Sequence, residues 1–324
     1  MIYLDGYAIS LDRREHSSNI DFVSHAHSDH ISAAKSSKSV IASTETARLL
    51  EVAKGIKIKI CSERIDGIRL TDSGHMLGAK QIRIEPNGGG VITYTGDFML
   101  QHAVTCKPIE ILETDTLIID STYCTPEIKF DPRKEVESAI ELWVSRKQPQ
   151  GIILFGAHRM GKAQELTKLL NMQGIVPFTT EAIGKINSVY NESGIGLEYS
   201  CAGADEGEPE LGWGGAVGIV ETHRLDEVAS RISKGTGKRV FRASATGFAK
   251  FFRFNTDVQF PLSDHADFRQ SLDYIEAAHP KKILTYGSNS EIFAQNLSRA
   301  GYNAEPFRNE VMEGYRVIGL ETGT

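Results

Sequence analysis

Cysteine is scarce in this chain: four in 324 residues, at Cys61, Cys106, Cys124 and Cys201, with no Cys-x-x-Cys pair. A disulfide framework and a zinc ribbon are excluded, and reduced thiols in a cytosol are expected. No apolar run approaches the roughly 20 residues of a membrane span. The opening Met-Ile-Tyr-Leu-Asp-Gly carries an acid where a secretory leader needs a basic and then an apolar stretch. The expectation is a cytoplasmic protein with no membrane partner. Excess positive charge is missing too: 36 Lys and Arg stand against 42 Asp and Glu, a net charge of −6. That excludes the global basic field of a non-specific nucleic-acid binder. The average hides segregation, however. Lys281-Lys282, Lys238-Arg239, and Arg242 with Lys250 and Arg253 are basic, Asp205 to Glu210 is acidic, and bound divalent ions would reverse the sign locally.

What is present is an ordinary globular composition, 40% hydrophobic and 24% charged, without repeats or low-complexity tracts. The length suffices for a large core or two domains. The first 120 or so residues read as short β runs between polar turns, among them Ile20 to Val23, Gln81 to Glu85, Val91 to Thr95 and Thr116 to Ile119. Ser43 starts a capped helix running to about Ala53, and Asn87-Gly88-Gly89-Gly90 joins two strands as a hairpin. From Asp131-Pro132 the rhythm changes. Val136, Ile140, Trp143 and Val144 have helical spacing, Gly151 to Phe155 is a buried strand, and Gly161 to Leu170 is helical, which predicts a parallel α/β unit.

Four metal-capable side chains fall within six positions in Ser24-His25-Ala26-His27-Ser28-Asp29-His30, directly after an apolar strand. On an extended chain His25 and His27 face the same way, and Asp29 and His30 enter the following turn, an arrangement suited to two adjacent metals. Downstream, Asp72-Ser73-Gly74-His75 places a histidine in a glycine-flanked turn, and Tyr94-Thr95-Gly96-Asp97 places an acid at a strand end. Read singly, either is an ordinary loop residue. The order of the three motifs gives them meaning.

Together they resemble the metallo-β-lactamase fold. Asp120-Ser121-Thr122-Tyr123, Phe155-Gly156-Ala157 leading into Gly161-Lys162-Ala163-Gln164-Glu165, and Ser263-Asp264-His265-Ala266-Asp267 narrow the resemblance to the β-CASP nucleases, and within them to the DNA exonucleases associated with bacterial ligases. The resemblance implies an α/β fold: a metallo-β-lactamase αββα sandwich (1–125 and 250–324) carrying an inserted α/β β-CASP domain (126–249). It assigns His25, His27 and His75 to a first metal, Asp29 and His30 to a second, and Asp97 to a bridge between them. The chemistry agrees. Imidazole suits zinc, a bridging carboxylate sets a separation of roughly 3.5 to 4 Å, and a shared water deprotonates near neutral pH.

By the same resemblance Asp120 orients a ligand or assists proton transfer, and His265 contacts the scissile phosphate or protonates the leaving oxygen. Asp12 is assigned to orient ligand histidines by hydrogen bonding, with Asp5 as its rival. Asp29 and Asp97 join Asp120 and His265 as catalytic candidates. Arg159 and Lys162, with His158 at a helix start, are candidates for holding a phosphate. Where many family members have His-Gly, this chain has Tyr286-Gly287. The expectation is therefore one tight Zn2+ and a second, weaker ion, with Mn2+ as an alternative.

The implied function is a metal-dependent phosphodiesterase acting on nucleic acid, with DNA preferred over RNA and a strand end over internal sites. The rivals are an RNA 3′-end-processing ribonuclease, a small-molecule hydrolase of thioesters or lactams with the same metal core, and a catalytically silent scaffold. A ligase or helicase partner follows by analogy alone. Phe248, Phe251, Phe252 and Phe254, with Lys250 and Arg253, read as core packing in preference to a stacking patch for single strands.

Overall fold

The computed structural model describes residues 2–4, 7–13, 17–35, 38–62, 64–202 and 215–307. Asp5, His16 and the acidic run 205–210 lie outside them. The chain divides into two compact units, one of residues 1–100, 107–129 and 265–324, the other of 101–106 and 130–264.

The first unit begins with β1 (Ile2–Leu4), β2 (Tyr7–Leu11), β3 (Ile20–Phe22), β4 (Ser39–Ile41), α1 (Thr44–Lys54) and β5 (Lys59–Ile60). There follow β6 (Ile68–Asp72), β7 (Lys80–Ile84), β8 (Ile92–Tyr94) and β9 (Thr116–Asp120). The expected cap on α1 is present: the Ser43 hydroxyl accepts from the Thr46 N–H at 3.0 Å, satisfying a donor the first turn leaves open. Strands β1 to β5 form a five-stranded sheet in sequence order.

The second unit contributes α2 (Arg133–Lys147), β10 (Ile152–Ala157), α3 (Lys162–Met172), β11 (Phe178–Thr180), α4 (Glu181–Glu192) and β12 (Ser200–Ala202). It continues with β13 (Val217–Glu221), α5 (Leu225–Thr236), β14 (Val240–Ala245) and β15 (Val258–Phe260). The chain then returns to the first unit with α6 (Phe268–Ala278), β16 (Lys282–Tyr286), α7 (Ser290–Arg299) and β17 (Ala304–Pro306).

The first unit's second sheet has the order β17-β16-β9-β8-β7-β6. Ile9 and Phe22 from one sheet pack with Ile82, Tyr94, Ile118 and Leu284 from the other. Alternate residues Leu117, Ile119 and Ile283 instead meet Tyr274, Ile275, Phe293 and Leu297 of α6 and α7. The period-2 alternation of a strand thus feeds two apolar layers, one between the sheets and one beneath the helices. This is the α/β sandwich expected from the sequence.

The second unit is an all-parallel sheet of order β12-β11-β13-β10-β14-β15. Its central strand β10 is buried along its whole length, which accounts for its unbroken apolar run. Residues 250–264 group with this unit, beyond the boundary drawn from sequence at 249, because β15 pairs in parallel with β14 through Ala245↔Phe260. The aromatic run also departs from expectation. Phe248, Phe251 and Phe252 are 49%, 44% and 59% exposed, carried on a short turn after β14 that is fixed by its own backbone bonds and leaves the rings outside the core.

Candidate metal centre

The site lies in the first unit, where strands deliver their carboxyl ends together. β3 runs parallel to β2 and β4, β8 to β9, and β9 to β16 with Asp120 opposite Tyr286. The chain leaving β3 carries His25, His27, Asp29 and His30, that leaving β8 carries Asp97, and that leaving β6 carries His75. Gly96 has φ 55°, and a Cβ there would stand 2.8 Å from that of Ser24. Glycine permits both the turn and the close approach that bring Asp97 to His25. His265 follows Asp264 into the first unit, where the Ala266 N–H donates to the Phe98 carbonyl at 2.8 Å.

The ring of His25 lies 4.8 Å from His27, 4.3 Å from His30 and 4.7 Å from His75, centroid to centroid. The Asp97 Oδ2 is 3.4 Å from His25 Nε2 and 3.7 Å from His75 Nε2. Its Oδ1 is 3.3 Å from His30 Nε2. One ligand atom from each of His25, His27, His75 and Asp97 lies within 4.8 Å of the others, and Asp97, Asp120 and His265 form a second such group. His25 Nε2 is buried with no hydrogen-bond partner among the described residues. A buried imidazole nitrogen left unmet costs free energy, whereas three imidazoles and one carboxylate are the donor set of a zinc-type site. The residues present fit a metal ion.

Electrostatics agree. Burial, and then the neighbouring histidines His30, His75, His27 and His265, hold His25 well below the ordinary imidazole range, so it is neutral and ready to ligate. Asp97 is pushed up to about 7 by burial, with His30 and His265 opposing. Burial also acts to lower His30, but the Asp97 and Asp12 carboxylates outweigh it and raise the ring to about 10. Burial and like groups, histidine against histidine and Asp97 against Asp120 and Asp29, are what this cluster has to offset, and a cation among them inverts the local balance.

Asp12 stands against the histidine cluster. One residue past β2, in the left-handed region at φ 55°, its Oδ1 accepts from the Ser24 N–H at 2.6 Å. Its Oδ2 accepts from the hydroxyls of Ser24 at 2.6 Å and Tyr94 at 2.8 Å, and lies 2.7 Å from His30 Nδ1. Asp120 Oδ2 is 2.9 Å from His265 Nδ1, while its Oδ1 accepts from the Thr122 N–H and hydroxyl at 2.9 and 2.7 Å. Burial would raise Asp120, yet the His265 bond and charge and the two Thr122 bonds hold it below the usual carboxylate value. Ser24, Tyr94 and Thr122 were not anticipated from sequence. Asp29 is the most open member, its side chain 79% exposed and 3.7 Å from His30 Nε2.

Tyr286 lies at the end of β16, its ring 5.1 Å from that of Tyr94. Burial, followed by Tyr94 and the nearby acids Asp120, Asp97 and Asp12, raises its hydroxyl well above the ordinary phenol value. A phenol so far from ionising is a poor metal ligand. Lys162 departs from its expected phosphate role: it is buried, its Nζ pairs with Asp264 at 2.8 Å, and burial lowers its pKa. Arg159 and His158 stay near solvent at the turn before α3.

Fold and donor set define a metalloprotein of the metallo-β-lactamase type. No family model matches the chain, but individual relatives do. A probable DNA ligase of Opitutus terrae is 28% identical over 298 residues, covering 87% of this chain and 28% of that protein. An uncharacterized protein in the lig 3′ region of Acidianus ambivalens is 35% identical over 149 residues, 46% of this chain and 97% of that one. The DNA cross-link repair protein SNM1 of Arabidopsis thaliana is 23% identical over 297 residues, 83% of this chain and 60% of that protein. The chain belongs to the β-CASP nuclease family of the metallo-β-lactamase fold. It spans between about a quarter and three fifths of the Opitutus and Arabidopsis relatives, and no helix among the described residues is long and apolar enough to cross a membrane.

Proposed function

We propose that this protein is a metal-dependent phosphodiesterase that hydrolyses DNA, acting from a strand end. The observation that carries the reading is the joining of the His25, His27, His75 and Asp97 donor group to the Asp120–His265 pair through Asp97. His25, His27 and His75 would hold a tight zinc ion, and Asp29, His30 and Asp97 a weaker one that zinc or manganese can fill. When bound, such ions neutralise phosphate charge and make a nucleophile available near neutral pH.

The remaining work falls to the protein. Asp12 fixes the tautomer and orientation of His30 and, through Ser24, which lies 3.0 Å from His25 Nδ1, steadies the first histidine as well. Asp120 holds His265 by Nδ1, leaving Nε2, 3.9 Å from Asp97 Oδ2, to meet the scissile phosphate. From there the ring can donate its Nε2 proton to the departing sugar oxygen, and the Asp120 carboxylate stabilises the imidazolium from which that proton comes. The names of the Opitutus and Arabidopsis relatives, a probable DNA ligase and a DNA cross-link repair protein, support DNA over RNA. They also support a DNA ligase as working partner inside the cell.

The test is cleavage of end-labelled single-stranded DNA and the matching RNA with zinc or manganese, beside Asp97→Ala. DNA cleavage that the variant loses supports the reading. RNA cut in preference would replace it with an RNA-processing enzyme, and cleavage of neither would favour the silent scaffold, for which Tyr286 is the one residue that speaks.

A further inference from the structure

An asparagine at the start of a helix ordinarily turns its side-chain oxygen to the N–H groups of the first turn. Asn289 stands at that position before α7, with φ −112° and ψ 24°, and makes no such bond. Its amide donates instead to the Thr122 carbonyl at 2.7 Å, 167 residues away in the chain. A cap forgone in favour of a distant carbonyl points to work done at Thr122.

Thr122 is the residue that holds Asp120. Its N–H and hydroxyl both donate to Asp120 Oδ1, at 2.9 and 2.7 Å, which leaves Oδ2 for His265 Nδ1 at 2.9 Å. With its N–H on Asp120 and its carbonyl on Asn289, Thr122 is pinned on both sides of its Cα. The residue before it is tied to the same turn after β16. The Ser121 N–H donates to the Tyr286 carbonyl at 2.7 Å, and the Ser121 hydroxyl donates to that carbonyl as well. Between the two anchors lies Gly287, at φ 99°. A Cβ there would stand 2.9 Å from Asp120 Oδ1 and 3.2 Å from the Thr122 hydroxyl oxygen, so glycine lets the turn close on the carboxylate.

We infer that Asn289 is a positioning residue for His265, acting through Thr122 and Asp120. A general acid is effective only when its nitrogen lies within hydrogen-bond reach of the departing oxygen, and an error of about 1 Å in such placement costs about a hundredfold in rate. Asp120 fixes the imidazole only as well as Asp120 is itself fixed. The inference deepens the nuclease reading and rests on it for the role of His265 as proton donor, while the hold of Asn289 on the Asp120–His265 bond stands apart from that reading.

The experiment uses Asn289→Asp in the full chain. Aspartate caps a helix as well as asparagine does, so α7 keeps its start, but a carboxylate cannot donate to the Thr122 carbonyl. The first readout is proton NMR of the protein with zinc, following the downfield imidazole N–H that His265→Gln removes. Its exchange with water is expected to quicken about tenfold, as for loss of one hydrogen bond. The proton of His30 on Asp12 and the melting temperature should stay as in the wild type. The second readout is turnover with manganese of a dT20 strand and of thymidine 5′-(p-nitrophenyl phosphate), whose aryl oxygen leaves as an anion without taking a proton. On the strand kcat should fall about tenfold with KM unchanged, the lower end of the range for loss of an orienting partner, and on the aryl ester kcat should hold.

Unchanged exchange of the His265 proton in Asn289→Asp overturns the inference whatever the cleavage. Quickened exchange of the His265 and His30 protons together overturns it too, as does equal loss on the two substrates, since Asn289 would then serve the fold or the metals as a whole. Should Asn289→Asp melt below the wild type, Thr122→Val, which removes the hydroxyl bond to Asp120 and keeps the N–H bond, is read in the same two ways with smaller changes expected. A wild type that turns over neither substrate removes the nuclease reading, and the His265 proton alone then decides the inference. Strand cleavage at the wild-type kcat in Asn289→Asp leaves the nuclease and removes Asn289 from it.

Discussion

Replacing Asp12 by asparagine tests how far the metal centre depends on a residue that need not touch the metal. Asparagine tolerates the left-handed conformation at φ 55° better than most residues, so the change isolates the carboxylate. In the wild type Oδ2 faces the Ser24 and Tyr94 hydroxyls and His30 Nδ1 at 2.6, 2.8 and 2.7 Å. An amide keeps one oxygen: turned towards these three it sets its NH2 against the Ser24 N–H, which loses its acceptor, and turned the other way it leaves all three without one. With one charge-assisted bond lost outright at the least and the others reduced to neutral strength, the metal-free protein is destabilised by about 3 kcal/mol. For a unit of this size that is a fall of roughly 6 to 12 °C in melting temperature.

Metal affinity should fall by about 10- to 100-fold, because His30 loses the partner that sets its tautomer and Ser24 loses its hold beside His25. Scanning calorimetry of metal-free protein and competition for zinc against a chromophoric chelator measure the two effects. Tyr94→Phe, which removes one bond and keeps the ring, should lower both by less than half as much. Asp12→Asn with unchanged melting temperature and unchanged zinc affinity would refute the reasoning.

Two further outcomes are expected. Tyr286→His should raise the affinity of the second ion at least tenfold, converting biphasic metal titration into two tight equivalents, since a neutral imidazole replaces a phenol held far from ionising. A titration identical to the wild type would show that the position opposite Asp120 does not reach the metals. Cys106, pushed up to about 12 by burial and by Glu165, should resist iodoacetamide at pH 8 in the native protein while exposed Cys201 is labelled. The sign follows from linkage. The folded state keeps the Cys106 proton longer than the unfolded chain, so this contribution to stability is whole below pH 9 and is lost as pH rises towards 12. Equal labelling of both thiols at pH 8, read by peptide mass, would contradict it.

The clustering of the histidines was legible because four of the candidate donors are nearly contiguous and the rest stand at glycine turns after apolar strands. Asp12 was singled out through the same resemblance, and Asp5, its rival, lies outside the described residues. Ser24, Tyr94 and Thr122 were not, since a serine, a tyrosine and a threonine acquire meaning only when sheet register puts them against Asp12 and Asp120. Lys162 was misread for a related reason. A lysine at a helix start suits a phosphate equally well on paper, and only the fold brings Asp264 to it and takes the pair out of water. The phenylalanines at 248, 251 and 252 were misread in the opposite direction. Aromatics are usually interior, and nothing local reveals that the turn after β14 leaves all three exposed.

These outcomes share a cause. Side chains that carry chemistry leave the strands at carboxyl ends, and in parallel pairing one residue of register fixes what stands opposite. Asp120 and Tyr286 face each other because β9 and β16 are in register from Thr116 and Lys282 onwards, so an acid that holds His265 and a phenol that occupies a usual ligand position are set by the same ladder. A substitution at Tyr286 therefore tests the second ion with the least change elsewhere: the strand stays paired, Asp120 keeps its Thr122 bonds, and only the donor offered at the end of β16 changes.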